Sequence, residues 1–171
     1  MLALFRFFIQ LAALRRGPQD LPASVVLLVL LAVLNVLVGT ANGVALFGGL
    51  RAALGANLLD LFLTMVLLFA LLQFKGHVAR WQQTAGAFFG LGVLAGLLML
   101  SVRSLTEALG IGAVAMLFDL FLAIWLHIAL GNVLRHALGI PLLAGVMIML
   151  SYTVLGFNLI ARIFPPVVLP S

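Results

Sequence analysis

The chain has no cysteine among its 171 residues and only four acidic side chains, Asp20, Asp60, Glu107 and Asp119. Without thiols there can be no disulfide, no thiolate metal site and no cysteine nucleophile, although a thiol-free chain suits either redox compartment. Charge is scarce as well. Charged residues make up 8% and hydrophobic residues 65%, where an ordinary soluble domain has about 25% and roughly 45 to 50%. That balance excludes a water-soluble globular domain and defines a membrane chain. Also missing are H-E-x-x-H, G-x-S-x-G, a phosphate-cradling glycine loop and a cluster of three metal ligands. Two membrane acids could suggest an intramembrane aspartyl protease, but Leu59 and Phe118 stand where that chemistry uses a tyrosine and a glycine motif. Haem ligation needs paired histidines at membrane depth, and only His127 lies there. Neither catalysis nor a metal nor any other cofactor is expected. The net charge of +5 is read as a topology signal and a contact with anionic lipid; nucleic acid is not an expected partner.

What is present is a series of apolar runs. Residues 1–17 are interrupted by Arg6, Gln10, Arg15 and Arg16, too often for a span. Arg6, Gln10 and Ala13 share one side of a helical wheel, so an interfacial amphipathic helix is predicted. Arg15 and Arg16 cut the apolar core that a cleaved signal peptide would need, and no cleavage is expected. Gly17, Pro18 and Pro22 then end the first helix, and Asp20 or Ser24 can cap the next. Five runs follow, at about 23–41, 54–74, 85–102, 112–130 and 140–161, each long enough to span a bilayer. Alternating the loops puts six Lys or Arg with the amino terminus and three on the other side. The positive-inside rule therefore places the amino terminus in the cytoplasm and the carboxy terminus outside. The fold class is an all-α membrane protein forming one domain over residues 1–171, and the expected location is a bacterial inner membrane.

An internal repeat bears on the architecture. At an offset of 59, residues 58–71 match 117–130 at eight of fourteen positions, Asp60 falling on Asp119, and the register carries His77 onto His136. The repeat predicts two hairpins in parallel orientation, spans 2–3 and spans 4–5, with the first span added to them. Asp60 and Asp119 then lie at similar depth, about 9 to 11 Å inside their helices at 1.5 Å per residue. Asn57, Asp60 and Thr64 follow i, i+3, i+7 spacing and share a face, while His127 is two turns from Asp119. A charged carboxylate facing lipid costs several kcal/mol, so both acids are expected to face the bundle interior or a wet crevice, where a carboxyl can hold and relay a proton. These five side chains, Asp60, Asp119, Asn57, Thr64 and His127, form the candidate intramembrane polar site. The bland alternative is interhelical hydrogen bonding, and a lone His127 beside Trp125 is an ordinary interior histidine.

Gly86, Gly90, Gly92 and Gly96 give the third span two successive G-x-x-x-G patterns, so close helix packing is expected there. Trp81 reads as an interfacial anchor, and Ser151, Thr153 and Asn158 can bond across helices.

The Pro-containing lead-in "GPQDLP", the polar start and small residues of "QTAGAFFGLGVLAGLLML" and the basic turn after "IWLHIALGNVLRHALGI" resemble the Yip (Ypt-interacting protein) domain family and its bacterial relatives. The resemblance covers most of the chain from about residue 18. It implies a five-span membrane adaptor without the long amino-terminal region of members that serve vesicle traffic. On this reading the protein is a scaffold or accessory subunit of a membrane assembly, its partners being lipid, other membrane subunits or a second copy. The alternative is a small proton-coupled transporter or channel using Asp60 and Asp119.

Overall fold

The computed structural model describes residues 2–167, and all of its regular elements are helical. A short helix α1 (Leu2–Ala12) and a 3-10 turn at Pro18–Asp20 precede five long helices: α2 (Val25–Phe47), α3 (Leu50–Phe74), α4 (Trp81–Ala108), α5 (Gly112–Leu138) and α6 (Leu142–Ile163). Each of the five is long and apolar enough to cross a membrane, whereas α1, with 11 residues, is too short.

Helices α2, α4 and α5 run six to eight residues past the ends of their apolar runs, whereas α3 stops at Phe74 as expected. Backbone hydrogen bonding carries a helix past its last apolar residue until something stops it, and here glycine stops it. Gly48 ends α2 at φ 71° and Gly139 ends α5 at φ 67°, a left-handed conformation that costs glycine nothing. The region 131–139, expected as a loop, is therefore mostly the last turns of α5, with Arg135 and His136 near its end. At its start α2 is capped by Ser24, whose Oγ accepts from the Leu27 N–H at 3.3 Å.

The spans are arranged as a ring. In order, α3 packs on α2, α2 on α4, α4 on α5 and α5 on α6, and α6 returns to α3 through a much thinner contact. The first span thus has a larger role than an addition to two hairpins. One face of α2 puts Gly39 and Gly43 against Asn57 and Ala53 of α3, and a neighbouring face puts Asn35, Val38 and Asn42 against Gly92 and Gly96 of α4. Asn42 Nδ2 donates to Gly96 O at 3.1 Å across that joint. The predicted hairpins consequently differ. α5 and α6 lie side by side, but α3 and α4 meet only sparingly, because both take α2 as their main partner.

Closest approach comes between α5 and α6, where a Cβ on Gly145 would fall on the Gly131 carbonyl oxygen. The four glycines expected to pack helices do so with three partners. Gly92 and Gly96 receive α2, while Gly86 receives Leu21 and Gly90 the ring of Phe8. Phe7, Phe8, Leu11 and Ala12 of α1 are buried and Arg6 is exposed, so the apolar side of this helix docks on α4 and α5. Trp125 Nε1 fixes the dock by donating to Ala12 O at 3.2 Å. Nearby, Gln83 Nε2 donates to Leu21 O at 2.7 Å and holds the lead-in to the head of α4.

Large apolar side chains cover the outside: Val26 is 79% exposed, Phe74 88% and Met116 77%. A soluble monomer does not present such a surface on every side; lipid is the solvent that suits it. The buried core, including Leu68, Leu72, Leu91, Val133 and Leu134, fills the half of the ring nearer the amino terminus.

Candidate functional site

Beyond that core the ring is not filled. A partly open cavity of about 440 Å³ lies among α2, α3, α4, α5 and α6, and all five helices contribute to its lining. It runs from Leu130 and Met149 toward Leu46, Phe47 and Ile160, at the end of the bundle where α6 finishes. The volume falls within the roughly 300 to 1,000 Å³ of small-molecule sites.

Asp60 is the only carboxylate in its lining among the described residues. Helix α3 presents Asn57, Asp60 and Thr64 to the cavity together, as their spacing required. What the spacing did not supply is the partner from α6. Tyr152 donates its hydroxyl proton to Asp60 Oδ1 at 2.8 Å. Because that proton is committed, the Thr64 hydroxyl, 2.7 Å from the Tyr152 oxygen, donates to it. The result is a directed chain, Thr64 to Tyr152 to Asp60, bridging the thin α3–α6 joint. Asp60 Oδ2 takes no hydrogen bond from the described residues. Asn57 spends an N–H of its amide on Ala53 O at 2.9 Å and sets its oxygen against Gly39, where any side chain would collide with it.

His127 also lines the cavity. Its Nδ1 lies 2.8 Å from Ala123 O, and since a carbonyl only accepts, Nδ1 carries the proton. Nε2 pairs with Thr153 Oγ1 at 2.9 Å. His127 thereby links α5 to α6 much as Tyr152 links α6 to α3.

Asp119 requires a correction. It was grouped with Asp60 by the repeat, yet it is absent from the cavity lining. Its Oδ2 takes two hydrogen bonds from Arg103 of α4, from Nε at 2.8 Å and from the terminal nitrogen at 2.6 Å. The repeat matches residue types along one helix, but the neighbour across the helix decides the role. Arg103, facing Asp119 across the α4–α5 turn, has no counterpart opposite Asp60. Removing the cation in Arg103→Ala leaves the acid alone on an apolar arm, while the guanidinium itself is more than a third exposed. The expected loss is about 1 to 2 kcal/mol, read as a lowered melting temperature in detergent, with the reversed pair Arg103→Asp and Asp119→Arg recovering it. An unchanged melting temperature for Arg103→Ala would show that the pair contributes nothing to stability.

Sequence reasoning missed Tyr152, the centre of the hydrogen-bond chain, and Asn35, which enters the cavity from α2. The signal for both was available: polar side chains in the middle of spans, on helices that do not carry the acids.

The fold and its cavity define a class: a five-span helical membrane protein with a polar site enclosed by its own helices. No family model matches the chain, and neither a curated protein nor a solved structure is detectably similar to it.

Proposed function

We propose that the protein is a small carrier that takes a solute into the cavity and couples its passage to protonation of Asp60. The observation that supports this most is a carboxylate without a neighbouring Lys or Arg in a site of molecular size. Such a group is costly in its charged, empty state. It is neutralised by a proton when the site is vacant and by a ligand when it is filled, which is what exchange requires. The thin α3–α6 joint, spanned by Tyr152, is the natural place for the ring to open. The chain itself supplies binding and proton handling, and no covalent chemistry.

On the same reading the amino terminus faces the cytoplasm of a bacterial inner membrane, since six of nine cations lie on that side. The cavity then lies in the outer half. A thiol-free chain makes this directly testable. A single cysteine at Asn57, which lines the cavity, is expected to react with a membrane-impermeant maleimide added outside, as is one at Arg51, while one at Arg80 reacts only from within. An Asn57→Cys protein that resists the reagent from both sides would rule out a hydrated site.

The scaffold reading, with its Yip-like adaptor implication, retains one supporting observation. The outer parts of α4 and α5 expose Leu105, Leu117, Leu120 and Phe121 around the Arg103–Asp119 pair, a face on which a second copy or another membrane subunit could pack. Purification in mild detergent as a solitary monomer would remove that support.

A further inference from the structure

Resting on the carrier reading, we infer that the ligand is a small organic cation, held by the Asp60 carboxylate in a cavity whose lining includes five aromatic side chains. Phe47, Phe88, Phe89, Phe157 and Tyr152 all line the same cavity as the acid. The faces of aromatic rings attract organic ammonium groups, and a carboxylate provides the countercharge.

The competing ligand classes fit less well. An anion would find no lysine or arginine in the lining and would meet Asp60 instead. A bare metal ion needs several hard ligands close together, yet no group of three His, Asp or Glu side chains is assembled among the described residues, and about 440 Å³ is far more room than an ion uses. A neutral solute could occupy the space with Asp60 still protonated, but its entry would displace no proton and so could not be coupled to that carboxyl. Hydrogen bonding points the same way. The hydroxyl protons of Thr64 and Tyr152 are already committed toward Asp60 Oδ1, while Oδ2 has no donor among the described residues. The site thus has unused capacity to accept and to stabilise positive charge. Charge balance is simple: the ammonium enters, the Asp60 carboxyl releases one proton to water, and the charge of the cavity is the same before and after.

Three ring-bearing probes of similar size separate the possibilities: benzyltrimethylammonium, benzyl alcohol and phenylacetate, titrated calorimetrically against the full chain in lipid nanodiscs. The expected result is binding of the cation at least roughly tenfold tighter than the alcohol, a gap of about 1.4 kcal/mol, with no binding of the anion. Binding of the cation should also release about one proton per site, read with a pH indicator in weak buffer. Asp60→Asn, close in size to the native side chain, should reduce cation affinity by at least roughly tenfold and abolish proton release. The wild-type comparison needs no variant, so it remains decisive even if Asp60→Asn folds poorly. Tighter binding of the alcohol or the anion, or cation binding indifferent to Asp60→Asn, would overturn the cation inference while leaving a solute-binding cavity in place. If no probe binds and a cysteine at Asn57 is also unlabelled, both the inference and the carrier reading fall.

Discussion

Proteoliposomes carrying Asp60→Asn are expected to show no proton-coupled uptake of benzyltrimethylammonium, a permanently charged probe that cannot cross lipid as a neutral form. The substitution preserves shape and leaves an oxygen that can still accept from Tyr152, 2.8 Å away in the native chain, so the α3–α6 joint should hold. What it removes is the single ionisable oxygen pair of the cavity. A neutral amide neither carries a proton nor balances a cation. The magnitude follows from the setting: a cation brought into a low-dielectric site without its countercharge loses an interaction of several kcal/mol, and about 3 kcal/mol already corresponds to a loss of more than roughly a hundredfold. Internal pH reported by a trapped dye gives the readout. Asp119→Asn is the informative comparison, because Asp119 is held by Arg103 outside the cavity and its loss should leave uptake unchanged. Equal loss in both variants would mean that the two acids act as one site, contrary to the arrangement of the helices.

The second large effect is structural. Gly145→Ala should destabilise the bundle by about 3 kcal/mol, at the upper end of overpacking costs, because the new methyl group meets backbone and cannot be relieved by a rotamer change. The clash is with the Gly131 carbonyl, so α5 and α6 must separate, taking with them the His127–Thr153 bond and one wall of the cavity. A control lies on the same helix. A methyl group at Gly156 would stand 3.6 Å from the Tyr152 ring, an ordinary contact, and Gly156→Ala should be tolerated or slightly stabilising, since alanine is the better helix former. Melting followed by loss of the monodisperse species in detergent distinguishes the two. Equal melting temperatures would show that the α5–α6 approach can relax at little cost.

Both predictions depend on knowing which side chain faces which, and that knowledge is unevenly available from the chain alone. The five spans were legible because twenty or so apolar residues in a row have almost no alternative to crossing a membrane. Their ends were less so, since glycine and hydrogen bonding, rather than hydrophobicity, decide where a helix stops. The shared face of Asn57, Asp60 and Thr64 was legible from 3.6-residue periodicity, and the cavity uses that face. The importance of small residues in α4 was also legible, but not that Gly86 and Gly90 would receive the lead-in and α1 while Gly92 and Gly96 received α2. The likeness of Asp60 to Asp119 misled, because local repetition says nothing of the helix opposite.

By itself, then, the sequence determined that this is a multi-pass helical membrane protein, which runs span, and which polar side chains share a helical face. These properties are set by solvent and by the geometry of one helix, and both act along the chain. Only the tertiary structure decided that α2 would join α3 to α4, that the ring would leave an unfilled centre, and that Asp60 would meet Tyr152 while Asp119 met Arg103. Those outcomes depend on how each helix is rotated against its neighbours, and that rotation is set jointly by small residues on one helix and bulky ones on another, a match that cannot be read from either helix alone.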